Sequence, residues 1–145
     1  MNWWPPLRFA GVRIVDWSDD YTRVVVRSGR PNPLTANAYG TQFGGTLFSM
    51  TDPFYSILLN EQLDRTCDVW DRRGEIDFVR PGRTAVTAEI VVPTAIVDEI
   101  RAAAASGERV LRWFECEIVD TAGEVVARVR KQLHVRRKRD VGGPS

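Results

Sequence analysis

Gly44–Leu63 reads GGTLFSMTDPFYSILLNEQL, and this stretch decides the architecture. From Thr46 onward it is apolar on nearly every side of a helical wheel: Leu47, Phe48, Met50, Phe54, Tyr55, Ile57, Leu58, Leu59 and Leu63. A helix with apolar groups all round is a buried helix rather than a surface one. Pro53 removes one backbone bond and costs about 3 kcal/mol in a helix interior, so a kink or local break is expected there. A second reading of the same spot makes Asp52 the N-cap of a half-helix that starts at Pro53. In either case, Thr46–Leu63 must be wrapped by other elements.

The flanking sequence supplies the wrapping. Val12–Trp17 and Thr22–Ser28 are rich in Val and Ile, and the polar Ser18-Asp19-Asp20 turn joins them as a hairpin. Val69–Val79 is a long extended segment with Gly74 as a candidate bulge. Thr84–Val92 is a further strand, and Ala95–Ala105 is a short Ala-rich helix stopped at Gly107. Val110–Asp120 and Glu124–Val135 flank Thr121-Ala122-Gly123. The second alternates, with Val125, Ala127, Val129, Leu133 and Val135 on one face and Glu124, Arg128, Arg130, Gln132 and His134 on the other. Lys131 interrupts the apolar face, and the alternation makes His134 a surface histidine. About six antiparallel strands curling round one long buried helix satisfy all these faces, an α+β arrangement. One domain is expected over residues 1–138, followed by a flexible basic, Gly-Pro tail over 139–145. Trp3 and Trp4 belong to an aromatic N-terminal arm that packs on its own domain or on a partner.

Composition narrows the function classes. At 145 residues and 43% hydrophobic content the chain suits one compact domain that needs no disulfide or metal. Cys67 and Cys116 are too few and too isolated for a zinc site, and a single His134 removes paired-histidine metal chemistry. No cofactor is expected. No run of about 18 apolar residues occurs and MNWWPPLRFAG does not read as a signal peptide, so no membrane association and a cytoplasmic location with reduced thiols are expected. Residues 1–127 carry 13 basic and 18 acidic side chains, residues 128–145 seven and one. A solvated strand end and tail explain that basic cluster better than nucleic acid does, because no aromatics are interleaved for base stacking.

The densest unusual chemistry is Asn37-Ala38-Tyr39-Gly40-Thr41-Gln42-Phe43-Gly44-Gly45. Paired glycines at a helix start allow close backbone approach, and the first turn offers free N–H groups at the positive end of the dipole, an oxyanion site. Asp52 lies seven residues beyond Gly45, on the same helix face and roughly 10 Å further along. A carboxylate among Met50, Pro53 and Phe54 is desolvated, which raises its pKa. Asn37 adds a neutral donor and acceptor. Asp71, Arg72, Arg73, Glu75 and Asp77 alternate in sign along one strand and pair with one another or with neighbours.

The stretch NAYGTQFGGTLFSMTD resembles the signature of PaaI-type hotdog thioesterases, with Asn37, Gly40, Thr41, Gly44, Gly45, Leu47, Phe48 and Asp52 at matching positions. Ile76-Asp77-Phe78-Val79-Arg80-Pro81-Gly82-Arg83 resembles that family's strand–Arg-Pro–strand element. Phe43-Gly44-Gly45, Asp52-Pro53-Phe54 and Val69-Trp70-Asp71 resemble an uncharacterised thioesterase-like branch of the superfamily more closely still. The resemblance implies a hotdog fold and hydrolysis of an acyl-CoA or similar thioester. It also implies a homodimer, or a dimer of dimers, whose sites lie between subunits. Gly44, Gly45, Asp52 and Asn37 would be catalytic, and Thr41, Gln42, Phe43, Arg80 and Arg83 would bind substrate, the arginines at the phosphates. One position departs from the pattern: Phe43 stands where the family has histidine. That loss motivates a second class, a non-catalytic acyl-ligand binder. A hotdog dehydratase fits less well, because His134 lies on the last strand.

Overall fold

A computed structural model describes residues 4–139. The strands are β1 (Val12–Trp17), β2 (Arg23–Ser28), β3 (Cys67–Phe78), β4 (Val86–Val91), β5 (Val110–Asp120) and β6 (Val125–Arg137), and the helices α1 (Pro5–Phe9), α2 (Gly44–Ser49), α3 (Phe54–Gln62) and α4 (Thr94–Ala104). All six strands form one antiparallel sheet in the order β1-β2-β4-β5-β6-β3. Its edges are therefore β1 and β3. The expected strands all form, the small helix falls where the Ala-rich segment placed it, and Gly107 ends that region with φ +82°.

The central helix is not one continuous rod, and it breaks at Pro53, where the sequence calls for a kink or local break. It is broken into α2 and α3, and Met50–Pro53 forms a turn between them. The last turn of α2 closes through Thr51 N–H and Thr51 Oγ1–H to the Phe48 carbonyl and Asp52 N–H to the Ser49 carbonyl. Pro53 has no N–H with which to continue the ladder. It occupies the N-cap of α3, and its carbonyl accepts from Ile57 N–H at 3.1 Å. Asp52 is thus not the capping residue, and its carboxylate is free for other partners.

Phe54, Tyr55, Leu58, Leu59 and Leu63 are fully buried, while Ile57 stays partly exposed, so α3 is apolar on a broad face rather than all round. They share one core with Val24 and Val26 of β2, Ala88 and Ile90 of β4, Phe114 and Ile118 of β5, and Val129, Leu133 and Val135 of β6. Tyr55 stacks on Phe114 with centroids 5.3 Å apart. Val97, Ile100 and Ala104 of α4 and Leu7 of α1 join the same core.

Two expectations on β3 and β6 change. The register of β3 against β6 shifts between Asp71 and Arg73, so the irregularity lies beside Arg72 and not at Gly74. Gly74 serves another purpose, since a Cβ there would overlap the Phe48 ring of α2. His134 is on the outer face, as the alternation requires, yet it is nearly buried. Trp70, its register partner on β3, lies flat over the imidazole at 3.7 Å. The C-terminal residues 140–145, and with them most of the expected tail, lie outside the described residues, as does Trp3.

Candidate active site

The loop before α2 is held by its own polar side chains. Asn37 Oδ1 accepts from Tyr39 N–H (3.0 Å) and Thr41 N–H (3.1 Å), while Asn37 Nδ2 donates to Thr41 Oγ1 (2.8 Å) and the Gln42 carbonyl (3.3 Å). Both Asn37 groups are thereby engaged in shaping the turn, and Thr41 is buried beneath it. Gln42 is also buried. Its Nε2 donates to the carbonyls of Gly29 (2.7 Å) and Thr84 (3.0 Å), and its backbone N–H donates to the Gly82 carbonyl. Gln42 therefore ties the loop to the β2 end and to the segment before β4.

This bracing delivers Phe43 as the N-cap of α2, with no side-chain capping bond, so the first-turn amides are open. The two glycines lie under aromatic rings. A Cβ at Gly44 would sit 2.9 Å from Phe78 Cζ, and one at Gly45 would sit 2.5 Å from Phe43 Cε1. At both positions a ring occupies the space a side chain would take, Phe78 at Gly44 and the half-exposed Phe43 at Gly45. Gly44 opens on a cleft of about 610 Å³ that also reaches Asn37, Thr41, Gln42, Arg80 and Arg83. Six of the nine candidate residues thus share one cavity. Gly45 and Phe43 face a second cleft of about 520 Å³, floored by Ser49 and Phe9. Arg80 pairs with Glu124 at 2.9 Å, and both side chains are about half exposed. Arg83 is exposed at the cleft rim.

Asp52 lies elsewhere, at the opposite end of α2. Its side chain is 56% exposed, less enclosed than the expected position inside a buried helix, and its other side faces the inner surface of the sheet. There Lys131 Nζ stands 3.9 Å from Asp52 Oδ1 and 2.9 Å from Asp71 Oδ2. The ammonium is itself buried, 4.5 Å from the centroid of the Phe48 ring, and its stem passes Gly74. Partial burial raises the Asp52 pKa above the ordinary carboxyl value. Lys131 opposes the rise, and the carboxylate of Asp71, which shares Lys131 with Asp52, adds to it. Asp71 Oδ1 is buried without a partner.

Sequence reasoning missed Asp71 and Lys131 as site residues. The available signal was Lys131 itself, a charge on the apolar face of an otherwise alternating strand. A buried lysine has to find a carboxylate. Of the sign-alternating residues on β3, Glu75 pairs with Arg130 at 3.1 Å and Asp71 turns inward to Lys131. No group of three or more His, Cys, Asp or Glu side chains fit to hold a metal ion occurs among the described residues.

Residues 1–135 match the family model described as "Domain of unknown function (DUF4442)". The chain belongs to that family. The DUF4442 chain is also similar to a solved structure from Pseudomonas aeruginosa, PA5026, a probable thioesterase. Identity is 17%, 90% of this chain and 86% of the other are covered, and the TM-score is 0.78. It is similar to the thioesterase HI1161 of Haemophilus influenzae (14% identity, 94% and 86% covered, TM-score 0.69). A third match is the PaaI protein of Escherichia coli (22% identity, 93% and 85% covered, TM-score 0.64). No curated protein matches the sequence. The fold is therefore the hotdog fold that the thioesterase resemblance implied, with its helix in two pieces.

Proposed function

We propose that this DUF4442 protein hydrolyses a small acyl or aryl thioester of the acyl-CoA type. The observation that carries the reading is Asp52. It projects from the break after α2 with its acidity weakened by partial burial, on a fold shared with structures named as thioesterases. The thioester oxygen accepts from the Gly44 and Gly45 amides, donors worth about 3–4 kcal/mol each when aimed at a developing oxyanion. Asp52 takes a proton from water as its oxygen attacks the carbonyl carbon. The C–S bond then breaks and the proton passes to the thiolate, leaving acid and thiol. Direct attack by Asp52 through a mixed anhydride is the covalent variant.

Within one chain, α2 separates these parts by roughly 9 Å, six residues at 1.5 Å each, and the cleft at Gly44 does not include Asp52. The reading therefore needs a homodimer, or a dimer of dimers, in which Asp52 of one subunit faces Gly44 and Gly45 of the other. Asn37, Thr41 and Gln42 hold the loop that aims these amides, Phe43 borders the acyl group, and Arg80 and Arg83 meet the phosphates at the cleft rim. No helix among the described residues is long and apolar enough to cross a membrane, and Cys67 and Cys116 are free thiols. Both fit a cytoplasmic location, and nothing in the reading calls for nucleic acid.

A panel of acyl-CoA esters compared between wild type and Asp52→Asn tests the catalytic role, and equal rates in the two proteins overturn it. One observation favours the second reading: Phe43, with no acid–base group, covers Gly45. An acyl-CoA that binds in calorimetry and is never turned over would mark a ligand-binding protein.

A further inference from the structure

Asp52, Asp71 and Lys131 come from three separate elements and converge on one point: the turn after α2, the edge strand β3 and its neighbour β6. Lys131 is one of only two lysines in a chain with 18 arginines, and it is the buried one. The compact ammonium suits this slot, bounded by the Phe48 ring, by Gly74 and by two carboxylates. With all three groups ionised the cluster carries one net negative charge. Asp71 Oδ2 is satisfied by Lys131, but Asp71 Oδ1 is buried and unpartnered. A buried carboxylate oxygen without a donor is costly, and the Asp52 carboxyl, which meets the same Lys131 ammonium as Asp71, supplies one when it carries a proton.

We propose that Asp71 and Lys131 are positioning residues for Asp52: Lys131 fixes Asp71, and Asp71 Oδ1 receives the hydrogen bond from Asp52 once Asp52 has taken a proton. This rests on the hydrolase reading above. When water attacks, its O–H bond breaks, the C–O bond forms and the proton goes to Asp52, where Asp71 Oδ1 accepts it as a hydrogen bond. When the C–S bond breaks, the electron pair leaves with sulfur and the same proton passes from Asp52 to the thiolate. Asp71 and Lys131 end each cycle unchanged. Cys116 on β5 also faces Lys131, and Tyr55 on α3 lies against Cys116. Burial pushes both up, so they stay neutral and add no charge.

The test uses the full-length chain with 13C-labelled aspartate carboxyls, the Asp52 signal being assigned by its absence in Asp52→Asn. Carboxyl titrations by NMR are run beside pH profiles of kcat/KM on butyryl-CoA and benzoyl-CoA. Lys131→Met keeps the stem and removes the charge, so the Asp52 titration and the acidic limb both move up by about 1–2 pH units. Asp71→Asn removes the neighbouring negative charge at nearly constant shape, so both move down by about 1 unit. It also lowers the plateau rate about tenfold through loss of the acceptor. A merely structural role for Asp71 would change melting temperature and leave the Asp52 titration in place. An Asp52 titration unmoved in Asp71→Asn overturns the inference whatever the activity, and this variant decides alone if Lys131→Met fails to fold. The two readings separate cleanly. If Asp52→Asn hydrolyses as fast as wild type while the titrations move, the hydrolase reading falls and the coupled cluster stands. If Asp52→Asn is inactive and the titrations stay put, the reverse holds.

Discussion

Asp52 bears a linkage consequence that needs no substrate. Its folded-state pKa is raised, so folding favours the neutral carboxyl. The associated stability is present below the unfolded value and is lost as pH rises through the folded one. Asp52→Asn is therefore expected to melt higher than wild type near neutral pH, with the difference vanishing below about pH 4, as read by thermal denaturation across pH. His134 runs the other way. Burial, then Arg109, Arg136 and Arg72, lowers its pKa, so its stability is present above the ordinary histidine value and is lost as pH falls through the folded one. His134→Gln should flatten the loss of melting temperature between about pH 7 and pH 5. The glycines allow a sharper comparison. Gly45→Ala meets the rim of Phe43, which is 54% exposed and has room to swing aside, so little stability should be lost. Gly74→Ala meets Phe48, which is held against Lys131, and should cost about 1–3 kcal/mol in chemical denaturation.

At the level of elements, Leu58 is the natural probe of the core. It is fully buried on α3, and Leu58→Ala is expected to cost about 2–5 kcal/mol in the same assay. The strands were legible because alternation is a local property. Val110–Asp120 was bounded to the residue, and β6 extends only two residues beyond the reading, to Arg137. Pro53 announced a break in the central helix, but whether the chain kinks or stops depends on which carbonyls the surroundings satisfy. Thr51 and Asp52 settle that through bonds that no periodicity displays. The irregularity in β3 was misplaced for a similar reason. Gly74 invited a bulge, whereas what demanded a glycine there was a ring from α2, a contact made across the fold. In the site, the loop residues around Asn37 were found together because they are contiguous. Asp71 and Lys131 escaped because their meeting with Asp52 exists only once β3, β6 and the α2–α3 turn are assembled.

For the molecule as a whole, the edges of the sheet matter most. Among the described residues one side of the twelve-residue strand β3 has no partner strand, and Trp70, Phe78 and Val79 are exposed along or just beyond it. Such an edge is ordinarily covered. Light scattering is expected to give at least twice the chain mass, and a monomer at every concentration would remove the between-subunit site. The burial of Lys131 also has a practical use. Lys138 is exposed with its ammonium on the Arg65 carbonyl, so an acylating reagent should mark it promptly. Lys131 should resist until β3 peels from β6. Peptide mapping of the two side-chain amines over time would then clock the opening of that flank of the sheet.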